Sequence, residues 1–482
     1  MKPSIFLVFL FLYVSNSLAQ NKPNGRPNVI IIYMDDMGYG DTEPYGMTGI
    51  PTSHFNQLAR EGMRFTHFNV AQAVCTASRA ALLTGCYPNR LSLAGALAPW
   101  AKVALNPQEE TIASLLKKNG YKTGMLGKWH LGSKLPYFPT RYGFDSFYGI
   151  PYSHDMWPVD YDGKPITDTI ANPRGKYPPL PIIDGEKHVG INATLDDQGK
   201  LTAIFTQKAV NFISANKKNP FFLYMAHPMP HVPLAASAKF KGKSGMGVFG
   251  DVIMELDWSL GEIMKTLDKE GMSANTVLIV TSDNGPWLNF GNNAGSSGGF
   301  REGKGTTWEG GVRVPCLIRW PGKVEAGSIN SQLLTNMDLL PTIADLTGAV
   351  KPKNKIDGLS FMPLLLGKSS QGPRQVFYYY YDKNSLKAVR YKNWKLILPH
   401  KSRSYALDLP GKDGFPGKTT TVDVKMALYD LSHDPGEVYD VQQLYPDVVK
   451  KIMEFAEQAR LDLGDDLTNR TGKNVRSAAV VK

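Results

Sequence analysis

The chain has 482 residues but only three cysteines, Cys75, Cys86 and Cys316, so it is not a small scaffold held together by disulfides. Beyond the first 20 residues, no apolar run approaches the roughly 20 residues that a membrane-spanning helix needs. Charged residues make up 20% of the chain and hydrophobic residues 42%, which excludes a disordered or fibrous protein. The sequence therefore predicts a globular protein with a length typical of about two or three domains.

The N-terminal segment has the pattern of a secretory signal peptide. Lys2 supplies a positive charge, residues 5–14 form an apolar stretch too short to span a bilayer, and Ser17 and Ala19 are small residues where a signal peptidase cuts. We expect residues 1–19 to be removed and the mature protein to be exported to a periplasm, a lysosome or the outside of the cell. Because no cysteine follows the apolar stretch, we expect no stable membrane anchor.

The chain is basic, with a formal net charge of +11, and its Lys and Arg residues are dispersed rather than collected in a long run. A basic surface favours an anionic partner, although a surface without any binding role can have the same composition. We expect no nucleic-acid partner.

Apolar runs alternate with helical patterns through the first three quarters of the chain. The segment "NVIIIYMDD" at 28–36 is typical of a strand buried on both faces. The segment "SHFNQLAREG" predicts a helix with Ser53 as its N-cap and Gly62 at its end. Such alternation predicts an α/β fold with a mostly parallel sheet covered by helices on both faces. Ligands of such sheets bind beyond the carboxyl ends of the strands.

The pattern changes after about Gly367. Aromatic and β-branched residues alternate between turn residues, which predicts antiparallel strands, and an amphipathic helix is predicted at 446–463. We therefore assign residues 20–370 to a catalytic domain and residues 371–482 to a smaller α+β domain.

Two predicted strands end in groups that suit a hard cation. Asp35 and Asp36 follow one strand, and Asp283 and Asn284 follow another. Carboxylate and amide oxygens are ligands for Ca²⁺ or Mg²⁺ rather than for zinc. Each pair alone is more often a cap or a turn, but two such pairs at the strand ends of one sheet indicate a metal site.

One cysteine and five basic side chains occur in short turn-like or helix-opening segments: Cys75, Arg79, Lys128, His130, His231 and Lys304. Arg79 is one helical turn after Cys75 and returns to the same face. Lys128 and His130 are two apart, and side chains two apart in an extended segment project to one side. Singly, each is more often a surface charge or a packed histidine. Together they describe a site for a tetrahedral oxyanion, with donors and a hard cation around a nucleophile.

Six motifs give the chain its resemblance to the formylglycine-dependent, arylsulfatase-like sulfatases of the alkaline phosphatase superfamily. "CTASR" followed by "AALLTG" resembles the first sulfatase signature, and "GYKTGMLGKWHLG" resembles the second. "MDDMGYGD", "PHVP", "SDNGP" and "GKGTTWEGGVRVP" occur in the order that the family shows. The resemblance extends over about residues 27–460. It implies an alkaline-phosphatase-like fold, in which a large mixed sheet flanked by helices precedes a smaller C-terminal domain with an antiparallel sheet and a helix.

The resemblance also implies a role for each candidate residue. A maturation enzyme would convert Cys75 to Cα-formylglycine, and Ca²⁺ would be held by residue 75 and four ligands, Asp35, Asp36, Asp283 and Asn284. Arg79 and Lys128 would stabilise the formylglycine and the sulfate, and His130 would act as a base. His231 and Lys304 would bind the sulfate, and one of them would protonate the leaving oxygen. His227 is the weaker of the two nearby histidines, because His231 lies within the "PHVP" motif.

The chemistry explains why an aldehyde is used. A serine that attacked sulfur would be left as a stable sulfate ester and would need a second attack by water. Hydrated formylglycine has two hydroxyls on one carbon. One attacks sulfur, and deprotonation of the other expels sulfate and restores the aldehyde.

Alternatives remain open at this level. One is a formylglycine-dependent phosphonate or phosphodiester hydrolase, a second is an inactive relative that binds sulfated glycans, and a third is that Cys75 is only a buried thiol. A sulfated saccharide is the favoured substrate and an aryl sulfate a surrogate, because an exported basic enzyme would meet polyanions. We expect specificity to come from loops outside the motifs, at 87–106, 150–200 and 286–300, and from the C-terminal domain. The sequence does not decide whether Cys86 and Cys316 pair.

Overall fold

A computed structural model describes residues 25–481. The predicted signal peptide, residues 1–19, lies outside the described residues. The first twelve strands in chain order are β1 (Asn28–Met34), β2 (Met63–Phe65), β3 (Phe68–Asn69), β4 (Val103–Ala104), β5 (Lys122–Lys128), β6 (Ser146–Ile150), β7 (Leu180–Asp184), β8 (Lys187–Asn192), β9 (Phe221–Ala226), β10 (Thr276–Ser282), β11 (Cys316–Arg319) and β12 (Ser328–Asn330). The later strands are β13 (Leu334–Thr335), β14 (Val376–Tyr381), β15 (Ser385–Tyr391), β16 (Trp394–Ile397), β17 (His400–Ser404), β18 (Thr420–Val424), β19 (Ala427–Asp430), β20 (Gly464–Asp465), β21 (Arg470–Thr471) and β22 (Ala479–Val480).

The helices lie between these strands. In chain order they are α1 (Ser53–Glu61), α2 (Cys75–Thr84), α3 (Ile112–Lys118), α4 (Leu195–Gly199), α5 (Leu201–Ala215), α6 (Gly247–Lys269), α7 (Glu309–Val312), α8 (Leu339–Thr347), α9 (Met362–Leu365) and α10 (Pro446–Leu463). Within residues 25–481, none of the helices is long and apolar enough to cross a membrane.

The largest sheet has ten strands in the order β12-β2-β11-β10-β1-β9-β5-β6-β7-β8. Its five central strands, from β10 to β6, run parallel to one another, and β11 and β7 are antiparallel to their central neighbours. The sheet is therefore mixed and mostly parallel, as the alternation of strands and helices predicts.

Strand β1 lies at the centre of the sheet because it is apolar on both faces. Val29 and Ile31 belong to one hydrophobic cluster, and Ile30 and Ile32 belong to the cluster on the other face. The first cluster contains α2, α8 and much of the C-terminal region, and the second contains α5 and α6. Burial on both faces explains the continuous apolar run that predicted this strand.

The C-terminal region forms a four-stranded antiparallel sheet in the order β14-β15-β16-β19. Helix α10 packs on this sheet through Ile452, Ala456 and Leu463, and its bounds agree with the helix predicted at 446–463. Tyr379 and Tyr380 of β14 belong to the same hydrophobic cluster as the β1 residues Val29 and Ile31, so this region and the large sheet share one continuous core.

The cap predicted for α1 is wrong by one residue. Thr52, not Ser53, occupies the N-cap position, and its side chain makes no capping hydrogen bond. Asp257 of α6 instead accepts hydrogen bonds from the backbone N–H groups of His54 (2.9 Å) and Phe55 (3.0 Å). A residue some 200 positions away supplies the cap, which no local sequence pattern reveals.

All three cysteines are buried free thiols. Cys86 and Cys316 therefore do not pair, which decides a question that the sequence leaves open.

Candidate active site

The site lies where the parallel strands β1 and β10 end side by side. Met34 is paired with Ser282, so Asp35 and Asp36 emerge next to Asp283 and Asn284. All four side chains are buried. The Asp36 backbone is left-handed (φ 63°), and its N–H donates to Asp283 Oδ1 at 3.1 Å. The register of two neighbouring strands thus brings together groups that are about 250 residues apart in sequence.

The donor set at these strand ends fits a hard cation. Asp35 Oδ1 and Asn284 Oδ1 are buried and have no hydrogen-bond partner among residues 25–481. Ligand atoms of Asp35, Asp36, Cys75 and His231 lie within 4.8 Å of one another. Buried acceptor oxygens without donors are costly unless something compensates them, and a cation does so.

Cys75 is the first residue of α2 and is 2% exposed. Burial raises the pKa of its thiol to about 11, although the charges of Lys128 and Lys304 oppose the shift. An unmodified thiol at this position therefore stays protonated at neutral pH and is a poor nucleophile.

Arg79 lies one turn further along α2 and is fully buried beneath the carboxylates. Its Nη2 donates to Asp283 at 2.8 Å and lies 3.5 Å from Asp35, and its Nη1 donates to the Lys128 carbonyl at 3.1 Å. In this structure its charge therefore compensates two predicted cation ligands, and it fixes their positions.

Lys128 is the last residue of β5, and its ammonium donates to Asp35 and, at 2.9 Å, to Ser153 Oγ. His130 has a left-handed backbone (φ 60°), so the chain is not extended through it as the sequence argument assumed. The two side chains nevertheless interact. Burial lowers the pKa of His130 most, and the positive charge of Lys128 is the next largest cause of that lowering.

His130 is held as a neutral ring. Its Nε2 lies 2.9 Å from the Leu97 carbonyl, which can only accept, so we assign the proton to Nε2. Nδ1 is buried and has no hydrogen-bond partner in the described part of the chain. The ring thus keeps one free lone pair, as a general base requires.

His231 and Lys304 both approach Asp36. Lys304 Nζ lies 2.7 and 2.9 Å from the two carboxylate oxygens, and His231 Nε2 lies 3.7 Å from one of them. His227 instead contacts Ser259 of α6 at 3.3 Å and is buried away from this cluster. The geometry therefore distinguishes the two histidines in the way that the motif did.

Several neighbours of these residues were missed by the sequence reasoning. Ser153 follows β6 and holds Lys128, as described above. The ring centre of Trp287 lies 4.8 Å from Lys304 Nζ and 5.5 Å from the ring centre of His231. The ring centre of His154 lies 5.3 Å from that of His231. Tyr381 of the C-terminal region packs against the small cluster of Val74, Cys75 and Ala77. Ser153, His154 and Trp287 fall in the loops expected to carry specificity, but nothing in the sequence selects them within those loops.

The fold defines the class of the protein. A mixed ten-stranded sheet with helices on both faces, carrying its polar cluster at the carboxyl ends of the strands, and followed by a smaller antiparallel sheet, is the architecture of the alkaline-phosphatase-like hydrolases.

Comparison with known families narrows this class. Residues 27–349 match the sulfatase family, residues 300–407 match the C-terminal part of N-sulphoglucosamine sulphohydrolases, and residues 372–480 match the C-terminal region of aryl-sulfatases. The chain belongs to the sulfatase family. It is a sulfuric ester hydrolase, acting on sulfate esters of carbohydrates or aryl compounds.

Individual relatives match over nearly the whole chain. Arylsulfatase A of Homo sapiens is 36% identical over 463 residues, covering 94% of this chain and 90% of the human protein. N-acetylgalactosamine-6-O-sulfatase of Bacteroides thetaiotaomicron is 32% identical over 494 residues, covering 91% of this chain and 95% of that protein. The crystal structure of PsFucS1 sulfatase from Pseudoalteromonas sp. is similar with a TM-score of 0.79 at 30% identity, covering 90% of this chain and 89% of that one.

Proposed function

We propose that this protein removes sulfate from a sulfated saccharide, using Ca²⁺ and a formylglycine at position 75. The observation that carries the proposal is the buried oxygen cluster beside the first residue of α2, in which Asp35 Oδ1 and Asn284 Oδ1 have no donor within residues 25–481. A hard cation held by these oxygens would compensate them and would supply positive charge beside the nucleophile.

The four residues at the strand ends, Asp35, Asp36, Asp283 and Asn284, together with residue 75, would hold the cation. When bound, Ca²⁺ supplies positive charge to the sulfate oxygens and to the hydroxyl of residue 75. The hydrated formylglycine supplies that hydroxyl and a second one on the same carbon.

The protein's own side chains perform the remaining steps. Arg79 and Lys128 hold the carboxylates and keep positive charge next to residue 75. His130 accepts a proton at Nδ1, the ring nitrogen that has no partner in the described structure. This proton comes from the second hydroxyl of residue 75 as sulfate leaves.

His231 and Lys304 face the sulfate from the other side of Asp36. His231 Nδ1 donates to the Val232 carbonyl, which leaves Nε2 directed towards Asp36. Lys304 directs a positive charge at the sulfate oxygens. The leaving oxygen takes a proton from one of the two residues, from the ammonium of Lys304 directly or from Nε2 of His231 when that ring is doubly protonated.

Burial of residue 75 bears on its maturation. Because Cys75 is 2% exposed at the start of a fully buried helix, a maturation enzyme has to reach it before the chain folds. We propose that conversion takes place on the unfolded chain during export, and that the signal peptide directs that export.

The saccharide is proposed from the relatives' names and from the space beside the site. The bacterial relative is named as an N-acetylgalactosamine-6-O-sulfatase. A cavity of about 280 Å³ is lined by Leu288, Glu302, Tyr405 and Lys418 among others. Leu288 follows Trp287 in the chain, and Tyr405 donates to the Lys304 carbonyl. A cavity of this size offers room for a sugar unit beyond the sulfate.

The experiment compares hydrolysis of matched sulfate, phosphate and phosphonate esters of one alcohol, together with a panel of defined sulfated saccharides. We expect turnover of the sulfate esters to exceed that of the phosphorus esters, and at least one saccharide to be desulfated. Faster turnover of the phosphonate or phosphodiester would favour the first alternative. Binding of sulfated saccharides without any turnover would favour an inactive binding protein.

A further inference from the structure

Arg403 reaches the neighbourhood of the nucleophile from the C-terminal region. Gly305 follows Lys304, and its N–H donates to the Ala73 carbonyl at 2.9 Å, two residues before Cys75. A Cβ placed on Gly305 would lie 3.2 Å from Arg403 Nη1 and 3.0 Å from Tyr381 Oη. The guanidinium of Arg403 thus lies directly beside the loop that joins Lys304 to the segment before α2.

Arg403 is half-buried and, unlike the buried arginines, has no carboxylate partner within the described range 25–481. Arg79, Arg90 and Arg374 each pair with one or two carboxylates. The hydrogen bond of Arg403 is to the phenolic oxygen of Tyr405, at 3.2 Å.

The acidic groups near Arg403 are already occupied. Asp382 pairs with Lys387 at 2.6 Å. Glu302 accepts hydrogen bonds from Ser404 Oγ at 2.8 Å and from the Tyr405 backbone at 2.7 Å. The guanidinium has five N–H groups and is half-buried, yet it donates to only one neutral acceptor in the described structure. An anion that presents two oxygens to the fork, such as a carboxylate or a sulfate, fits the remaining N–H groups.

Tyr405 links Arg403 to Lys304 through hydrogen bonds, but the two positive charges point to different places. Its hydroxyl donates to the Lys304 carbonyl at 2.6 Å and accepts from Arg403. Lys304 directs its ammonium to Asp36, whereas the guanidinium of Arg403 lies beside the next residue, Gly305. The charge of Arg403 is therefore placed beside the sulfate site rather than within it.

We propose that Arg403 determines specificity by binding a second anionic group of the substrate, next to the sulfate that is cleaved. This inference rests on the proposed sulfatase activity towards saccharides. The second group is a carboxylate of a uronic acid or a further sulfate, since both offer two oxygens to the guanidinium fork.

The test uses three disaccharides that carry the same cleavable sulfate. In the first the neighbouring sugar is neutral, in the second it is a uronic acid, and in the third it carries a second sulfate. We measure kcat and KM for the wild-type enzyme, Arg403→Gln, Arg403→Lys and the control Lys401→Gln. Lys401 lies on the same strand but is 75% exposed and pairs with Asp423, so its replacement removes the same charge at the surface.

We expect the wild-type enzyme to prefer one dianionic disaccharide, and the preferred one identifies the anion. Arg403→Gln should lower kcat/KM for that substrate about 10- to 100-fold more than for the neutral one, because the charge-assisted hydrogen bonds to the second anion are lost. We expect most of this loss to be a higher KM. Arg403→Lys should recover part of the preference, since it keeps the charge but not the fork. Lys401→Gln should keep the wild-type preference.

An equal loss of kcat/KM on all three substrates would overturn the proposal, because Arg403 would then act on the cleaved sulfate or on the fold. A wild-type enzyme without preference for either dianion would overturn it as well. A binding measurement separates failure of this proposal from failure of the proposed sulfatase activity, because it needs no turnover. Binding of the same three saccharides to Cys75→Ala, with and without Arg403→Gln, is measured by calorimetry. If that binding also lacks an Arg403-dependent preference, the proposal is wrong irrespective of turnover.

Discussion

The ammonium of Lys304 lies between the two carboxylate oxygens of Asp36, 2.7 Å from one and 2.9 Å from the other. A residue proposed to bind sulfate thus contacts a residue proposed to bind the cation. Three buried carboxylates, Asp35, Asp36 and Asp283, face three basic groups, Arg79, Lys128 and Lys304, so their formal charges balance. A divalent cation would leave the site with excess positive charge, which favours a sulfate anion.

The first prediction concerns the metal. Exhaustive chelation should abolish turnover and lower the Tm, and added Ca²⁺ should restore both, because the cation compensates buried carboxylates. Asp35→Asn should lose bound metal, measured by elemental analysis, together with activity. Asp257→Asn is the matched control, since this buried aspartate caps α1, and we expect it to lose about 1 kcal/mol of stability while keeping the metal. Full activity in a chelated, metal-free enzyme would contradict the assignment.

The second prediction concerns the sulfate donors. His231→Ala and Lys304→Ala should each lower kcat by about 10²- to 10³-fold, because donors directed at developing charge are worth this much. The measurement is steady-state kinetics on a sulfate ester, with circular dichroism to show that the variants fold. His227→Gln should retain nearly wild-type kcat, because His227 contacts Ser259 and not Asp36. Near-wild-type rates for both alanine variants would remove these residues from the mechanism.

The third prediction concerns residue 75. Conversion of Cys75 to formylglycine should lower the intact mass by about 18 Da, as a carbonyl oxygen replaces the thiol and a hydrogen. Cys75→Ser keeps one hydroxyl, so it should accept sulfate once and stall with an added mass of about 80 Da, whereas Cys75→Ala should gain nothing. Rapid multiple turnover by the serine variant would show that an aldehyde hydrate is not the nucleophile.

The fourth prediction concerns acid stability. Burial lowers the pKa of His227 to about 3 and that of His400 to about 4, and each ring has one nitrogen without a partner within residues 25–481. The unfolded chain binds these protons near pH 6.5, so the folded state loses stability as pH falls below that value. At pH 5.5 each histidine should account for a loss of about 1.4 kcal/mol relative to neutral pH.

Urea unfolding of the wild-type protein and His400→Gln at pH 7.5 and 5.5 measures this effect. The variant should lose less stability on acidification, because glutamine can donate to the Leu398 carbonyl as His400 does and takes up no proton. His433→Gln, at an exposed position, controls for the substitution itself. Equal acid sensitivity of the wild-type protein and His400→Gln would contradict the prediction.

Local pattern was enough for much of the fold. The continuous apolar run of β1 predicted a strand buried on both faces, and the periodicity of residues 446–463 predicted α10. The sequence also predicted that Asp35, Asp36, Asp283 and Asn284 lie close together, because neighbouring parallel strands end at the same edge of a sheet. The prediction that the chain is extended through Lys128 and His130 was wrong, because His130 has a left-handed backbone and its side chain is directed differently.

The sequence by itself thus determined the α/β architecture, the chemical groups of the site and the resemblance to sulfatases, because hydrophobic period, side-chain type and motif order are properties of the chain alone. Tertiary structure decided which groups are partners. It placed Asp257 at the start of α1, directed Arg79 to the carboxylates, separated His227 from the site, and left Arg403 without an acidic partner in the part of the chain that the structure describes. These relationships join residues separated by tens to hundreds of positions, and burial and packing fix them only when the sheet and the C-terminal region have come together.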